Sequence, residues 1–217
     1  MAAEVSDEPW AERLRALLSR HRRVVLGIAG APGSGKSTFA RRIVRCFDDA
    51  VHVPMDGFHL ADVELDRLGR RGRKGAADTF DAYGYLALLQ RIRAHPGHVV
   101  YAPEFDRDIE QPIAGAIPVG PRDRLVVTEG NCLLDDEEPW PTVRELCDEV
   151  WFLDIPPEVR RPRLIARHIE FGKTPEQAQA WVRDVDDPNA ERIERSRRNA
   201  DFVVRVGAEH SRPNYGS

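Results

Sequence analysis

Lysine is nearly missing from this chain: Lys36, Lys74 and Lys173 are the only three, and arginine carries almost all of the basic charge. Acidic residues still outnumber basic ones, 36 to 32, for a formal charge of -4. That balance argues against nonspecific nucleic-acid binding, which needs a basic face to neutralise phosphates. No apolar run approaches the roughly 20 residues that cross a bilayer, and the opening "MAAEVSDEPW" is acidic where a secretory signal is basic. A cytoplasmic protein with no membrane partner is expected. The three cysteines, Cys46, Cys132 and Cys147, are scattered, with no CxxC spacing and no histidine at metal-site intervals. They read as buried free thiols rather than as a disulfide framework or a zinc site.

What is present suits one α/β domain over residues 1–217, with 41% hydrophobic and 31% charged residues. Trp10, Leu14, Leu17 and Leu18 recur at i, i+4, i+7 and i+8, which predicts an amphipathic helix over 9–21. Five short apolar segments read as strands: "VVLGIAG", "VHVPM", "RLVVTEG", "EVWFLDI" and "DFVVRV", the last closing near Val206. Helical or long irregular sequence separates them, the pattern of a parallel sheet covered by helices on both faces. The expected order is 2-3-1-4-5, in a three-layer fold.

The long insert over 57–124 does not read as a simple crossover. It holds a basic turn, "RLGRRGRKG", then "ADTFDAYGY", a helix from about Tyr85 to His95, and a hairpin, "HVVYAPEFDRDIEQPIAGAIPV". Irregular segments of this length in a compact domain are usually binding elements.

The chemistry is densest between the first strand and the next helix, expected over about Gly35 to Phe47. Gly30-Ala31-Pro32-Gly33-Ser34-Gly35-Lys36-Ser37, followed by Thr38, fits G-x-x-x-x-G-K-[ST]. Glycines there let backbone N–H groups converge on a β-phosphate, the lysine reaches the β/γ oxygens, and the Ser37 hydroxyl is placed for Mg²⁺. The helix N-terminus adds its positive dipole end. A nucleoside triphosphate is the ligand this predicts. No NKxD guanine motif and no LSGGQ-like signature occurs, which removes GTPase switches and transporter ATPases and leaves ATP as the expected nucleotide.

The ordered set "GIAGAPGSGKST", "VPMDGFH" and "VVTEGN", with "RKGAADTFD" and "VYAPEFDRDIEQPI" between the last two, resembles the uridine kinase, pantothenate kinase and phosphoribulokinase group of P-loop kinases. Within it the chain is most similar to bacterial proteins labelled nucleoside/nucleotide kinase-like or fructokinase-like, from about Val24 to Val206. The resemblance implies ATP and Mg²⁺, a small-molecule hydroxyl acceptor, and Asp56 as the general base facing that hydroxyl; it leaves a homodimer open. A carboxylate closing a strand of a parallel sheet does point into the ligand crevice, where it can orient the O–H and accept its proton. The plainer reading of Asp56 is an Asp-Gly turn residue.

Glu129 closes the third strand, where a carboxylate orients Mg²⁺ or its waters, touches the acceptor, or simply caps the strand. Acceptor-pocket candidates from the insert are Phe58, His59, Arg73, Lys74, Asp78, Phe80, Asp81, Phe105, Asp106 and Arg107, which supply charge and an aromatic wall. The 67–74 run also reads as a solvated loop, and His59 as packing. After the fourth strand, residues 156–175 read as a helical lid with Arg160, Arg163 and Arg167 at i, i+3 and i+7. In related kinases such arginines close over ATP and stabilise the transferring group, which makes Arg163 and Arg167 the candidates here. Pro162 is expected to kink or delay that helix. Arg198 and Asn199 resemble the family's adenine-covering segment, and otherwise read as a helix cap. The competing class is a nucleotide-driven regulatory or assembly protein with no small acceptor.

Overall fold

A computed structural model describes residues 8–94 and 97–205. In chain order the elements are α1 (Pro9–Arg20), β1 (Val24–Ala29), α2 (Lys36–Val44), β2 (Ala50–Pro54), a 3-10 turn (Met55–Phe58), α3 (Asp62–Arg67) and α4 (Ala82–Arg93). There follow β3 (Val100–Asp106), β4 (Gln111–Val119), β5 (Leu125–Glu129), α5 (Trp140–Glu145) and β6 (Glu149–Asp154). The chain then forms α6 (Pro157–Glu170), α7 (Pro175–Trp181), a π-helical turn (Val182–Asp186), α8 (Asp187–Ser196) and β7 (Phe202–Arg205). The readings placed on residues 1–7, on His95 and on Val206 lie outside the described residues.

Five strands form one parallel sheet in the order β2-β5-β1-β6-β7, and β3 pairs with β4 as a separate antiparallel hairpin. The numbering departs from 2-3-1-4-5 because the hairpin takes two places between the second and third strands of the sheet. Every residue of the central strand β1 is buried, as a strand covered on both faces requires. Its side chains alternate between two cores. Leu26 and Ile28 face Trp10 and Leu14 of α1 and Phe39 and Ile43 of α2. Val25 and Ala29 face the other layer, with Leu89 and Ile92 of α4, Trp140 of α5 and Ile193 of α8. Burying each large apolar side chain contributes about 1.5–3 kcal/mol, so the sheet is clamped from both sides.

Local chemistry explains where elements depart from expectation. The second helix starts at Lys36 because Gly35, at φ 89, is left-handed and cannot be helical. Helix α4 starts at Ala82 because the Asp81 carboxylate accepts the Gly84 N–H at 2.8 Å, an N-cap. Helix α6 runs through Pro162 in one piece, although the proline removes one backbone hydrogen bond. Cys132 is buried and Cys147 half-buried, but Cys46 is exposed, against the expectation of three buried thiols. No helix among the described residues is long and apolar enough to cross a membrane.

Candidate active site

One cleft of about 1530 Å³ runs along the C-terminal ends of the sheet strands, between the glycine-rich loop, the insert and α6. At its floor, β1 hands over to the loop 30–35 and then to α2. Gly33 lies at φ 76, and a side chain on Gly30 would meet the Leu153 carbonyl oxygen at 2.9 Å. Both positions therefore require glycine. The first turn of α2 lines the cleft, and no side chain among the described residues caps its N–H groups. The buried Ser34 Oγ has no hydrogen-bond partner among the described residues. Lys36 Nζ donates to the Ala31 carbonyl at 3.1 Å and to Asn131 Oδ1 at 2.7 Å. Burial pushes the lysine's pKa down, against the pull of Glu129 and Asp56. Free donors, an orphaned hydroxyl and a buried ammonium fit a bound polyphosphate.

Ser37 Oγ donates to Glu129 Oε1 at 2.7 Å. Burial pushes the Glu129 carboxyl up, but His52, Lys36 and Ser37 outweigh it and hold the group below the ordinary glutamate range. The buried His52 Nε2 lies 3.7 Å from Glu129 Oε1 and has no hydrogen-bond partner among the described residues. One hydroxyl and one carboxylate are oxygen ligands of the kind Mg²⁺ takes from protein when substrate phosphates and water complete its octahedron. The residues fit the ion.

Asp56 sits in the 3-10 turn that follows β2, and lines the cleft opposite the loop. Strand β3 passes so close over this turn that a side chain on Gly57 would overlap the Pro103 carbonyl. The hairpin thereby brings Arg107 onto the carboxylate, Nη2 to Asp56 Oδ2 at 2.7 Å. His59 Nδ1 is 2.8 Å from the Asp56 carbonyl. Its ring lies between Phe80 and Phe105, with centroids at 4.1 and 4.7 Å. Lys74 pairs with Asp62 at 2.8 Å and lies over the Phe105 ring.

Helix α6 closes the cleft from above. Leu164 packs on the loop so tightly that a side chain on Gly33 would come within 2.7 Å of its Cγ. Arg163 and Arg167 line the cleft. Burial pushes the Arg167 pKa down, with Arg107 adding repulsion, while Asp186, Asp56 and Glu110 act on it as opposite charges. Arg160, predicted on the same face, is buried against Asp187 at 2.5 Å and does not line the cleft. Arg160 and Arg167 lie about 20° apart around the helix but about 10 Å apart along it, and at that end of α6 the Arg160 guanidinium meets Asp187 of α8.

Several predicted pocket residues also lie elsewhere. Arg73 and Asp78 pair with each other at 2.5 Å at the surface. Asp81 caps α4, and Asp106 accepts the Asp108 N–H at 2.9 Å inside the hairpin turn. Phe58 packs edge-on against Tyr85. Arg198 and Asn199 bind Asp136 at 3.0 and 2.8 Å, and it is Val204 and Arg205 of β7 that line the cleft. Gly30 and Ala31 do not line the cleft, and the Ala31 carbonyl accepts from Lys36. Asn131 and His52 were not assigned from the sequence; only Asn131, inside "VVTEGN", carried a local signal.

A parallel sheet, a glycine-rich phosphate loop and a strand-end carboxylate on one cleft define a P-loop kinase. Residues 25–211 match the Phosphoribulokinase / Uridine kinase family, and the chain belongs to it. It is 33% identical over 210 residues to the protein YggC of Escherichia coli K12, covering 93% of this chain and 86% of that one. It is 31% identical over 194 residues to a uridine kinase of Clostridium botulinum (strain Okra), covering 87% and 91%. The crystal structure of a "putative fructose transport system kinase" from Silicibacter sp. TM1040 matches with a TM-score of 0.79 at 34% identity, over 91% of this chain and 99% of that one. The chain is an ATP-dependent phosphotransferase acting on an alcohol.

Proposed function

We propose that this kinase transfers the γ-phosphoryl group of ATP to a hydroxyl of a nucleoside, sugar or similar small polar metabolite held at the Asp56 end of the cleft. The observation that carries the reading is the sharing of one cleft by Asp56, the phosphate loop and the two arginines of α6. The acceptor oxygen forms the new P–O bond as the bond from the γ-phosphorus to the bridging oxygen breaks, its proton passes to Asp56, and ADP leaves. Arg107 holds the Asp56 carboxylate in place, leaving its other oxygen for the acceptor. Lys36, Arg163 and Arg167 stabilise charge on the transferring group, where fixed donors in a water-poor site act most strongly. Ser37 and Glu129 would hold Mg²⁺, which supplies further neutralisation of the phosphates.

Residues 30–38 cradle the phosphates, and the nucleobase lies toward Thr38, Val204 and Arg205 rather than Arg198 and Asn199. Core, insert (57–124) and lid (156–175) work as one unit, and lid closure keeps water from the phosphoryl group. Asp56→Asn should bind ATP with unchanged affinity by calorimetry while acceptor-dependent ADP release falls about 10²- to 10⁴-fold. Unchanged turnover would remove Asp56 as the base.

A further inference from the structure

The proposed acceptor end is rich in aromatic rings, yet nearly every ring face near Asp56 is already taken by the chain itself. Phe58 packs edge-on to the buried Tyr85 at 5.3 Å. Phe80 is buried, and His59 lies 4.1 Å from it. Phe105 carries His59 at 4.7 Å, Lys74 Nζ at 5.2 Å and the Arg107 guanidinium at 5.5 Å. A nucleobase is bound by stacking on an open aromatic face. The one slot between two phenyl rings, Phe80 and Phe105, is filled by an imidazole.

That imidazole is not free to swing out. Its Nδ1 is tied to the Asp56 carbonyl at 2.8 Å. Its backbone bridges to Phe80, with Leu60 N–H on the Thr79 carbonyl at 2.9 Å and Asp81 N–H on the Phe58 carbonyl at 2.8 Å. The polar side chains on the cleft wall include Arg107, which holds Asp56 at 2.7 Å, together with Lys74, Glu110, Asn131 and Arg167. Forked and paired groups of this kind match neighbouring hydroxyls on a saturated ring or chain. Two further rings on the cleft wall are on the α6–α7 side: Phe171, half-exposed one helical turn beyond Arg167, and Trp181, whose ring carries Lys173 Nζ at 4.5 Å.

We propose that the acceptor is a compact, non-aromatic polyol, a sugar or sugar derivative, and that nucleosides are excluded because His59 fills the slot between Phe80 and Phe105. This rests on the kinase reading above, with Asp56 at the acceptor hydroxyl.

The test is coupled ADP release from Mg·ATP by the full chain, with hexoses, pentoses, sugar acids and sugar phosphates set against uridine, cytidine, adenosine and guanosine, each repeated with Asp56→Asn. At least one sugar should exceed every nucleoside in kcat/KM by on the order of 100-fold, and lose that activity in the variant. Asp56-dependent turnover of a nucleoside at equal or higher efficiency overturns the inference and leaves the kinase reading standing. No transfer to any sugar overturns it as well, whatever the nucleosides do. ADP release that ignores Asp56 with every acceptor removes Asp56 as the base, and with it the acceptor position on which this inference rests. Uridine binding to the ADP-loaded protein, followed by calorimetry, supplies a second arm. His59→Ala opens the slot and should raise uridine affinity at least about tenfold over wild type. Equal affinity in a folded variant overturns His59 as the excluding group; if the variant does not fold, the wild-type kinetics still decide.

Discussion

Adding one methyl group at Gly33 tests whether α6 seats on the phosphate loop during catalysis. The added methyl carbon would come within 2.7 Å of Leu164 Cγ, 3.1 Å of its Cδ2 and 3.2 Å of Arg160 Cγ. Carbon atoms rest at about 3.5–4.0 Å, so the helix must retreat by about 1 Å. Overpacking of this kind costs about 1–3 kcal/mol. That cost falls only on the closed state, a bias of roughly 5- to 150-fold against closure at 1.36 kcal/mol per tenfold. A second cost is separate. Gly33 lies at φ 76, and a residue with a side chain pays about 1–2 kcal/mol there whether the lid is open or closed. Gly33→Ala should therefore lower Tm by about 2–8 °C and, independently, lower kcat/KM for ATP by the closure factor. Leu164→Ala removes the two nearest atoms, so the double variant should recover most of the kinetic loss beyond additivity, up to about 1–3 kcal/mol, while keeping the Tm loss due to the backbone. Kinetics of Gly33→Ala equal to wild type, with no coupling to Leu164, would show that α6 does not rest on the loop during turnover.

Two further outcomes follow from ionisation. The Glu129 carboxyl lies below the ordinary glutamate value of 4.5 despite burial, so its charge favours the folded state above that pH and the benefit fades as pH falls through the lowered pKa. Glu129→Gln should be less stable than wild type at pH 7, with the gap in Tm closing below about pH 4.5; a constant gap on acidification would contradict this. Burial pushes the Cys132 and Cys147 thiols up to about 12, while Cys46 is exposed. At pH 8 a thiol-titrating disulfide reagent should consume one equivalent in the native protein and three after unfolding. Fast reaction of a second thiol in the native state would refute the burial of that site.

Much of the chemistry was written in contiguous residues. The loop 30–38 was legible because glycine conformation, a helix N-terminus and Lys36 act within nine positions of one another. The central strands β1, β5 and β6 were legible because a strand buried on both faces has few ways to be written, and the half-buried edge strands β2 and β7 because they are short apolar runs. Asp56 and Glu129 were placed by the same logic, as strand-end residues. What could not be read locally depends on which segments meet. Arg107 reaches Asp56 across 51 residues, and only the path of the hairpin over Gly57 decides that. Arg198 and Asn199 fell to Asp136 because α8 ends over the segment after β5, an outcome of packing that residue type does not encode. His59 was divided between pocket and packing. The fold places it between Phe80 and Phe105, because rings from the segment before α4 and from β3 converge on a side chain already held by the Asp56 carbonyl of its own turn. The sequence alone determined the phosphate chemistry and the parallel sheet, since both are local or periodic. The tertiary structure decided which charges and rings remain free for the acceptor, since each contact between distant side chains settles the availability of both.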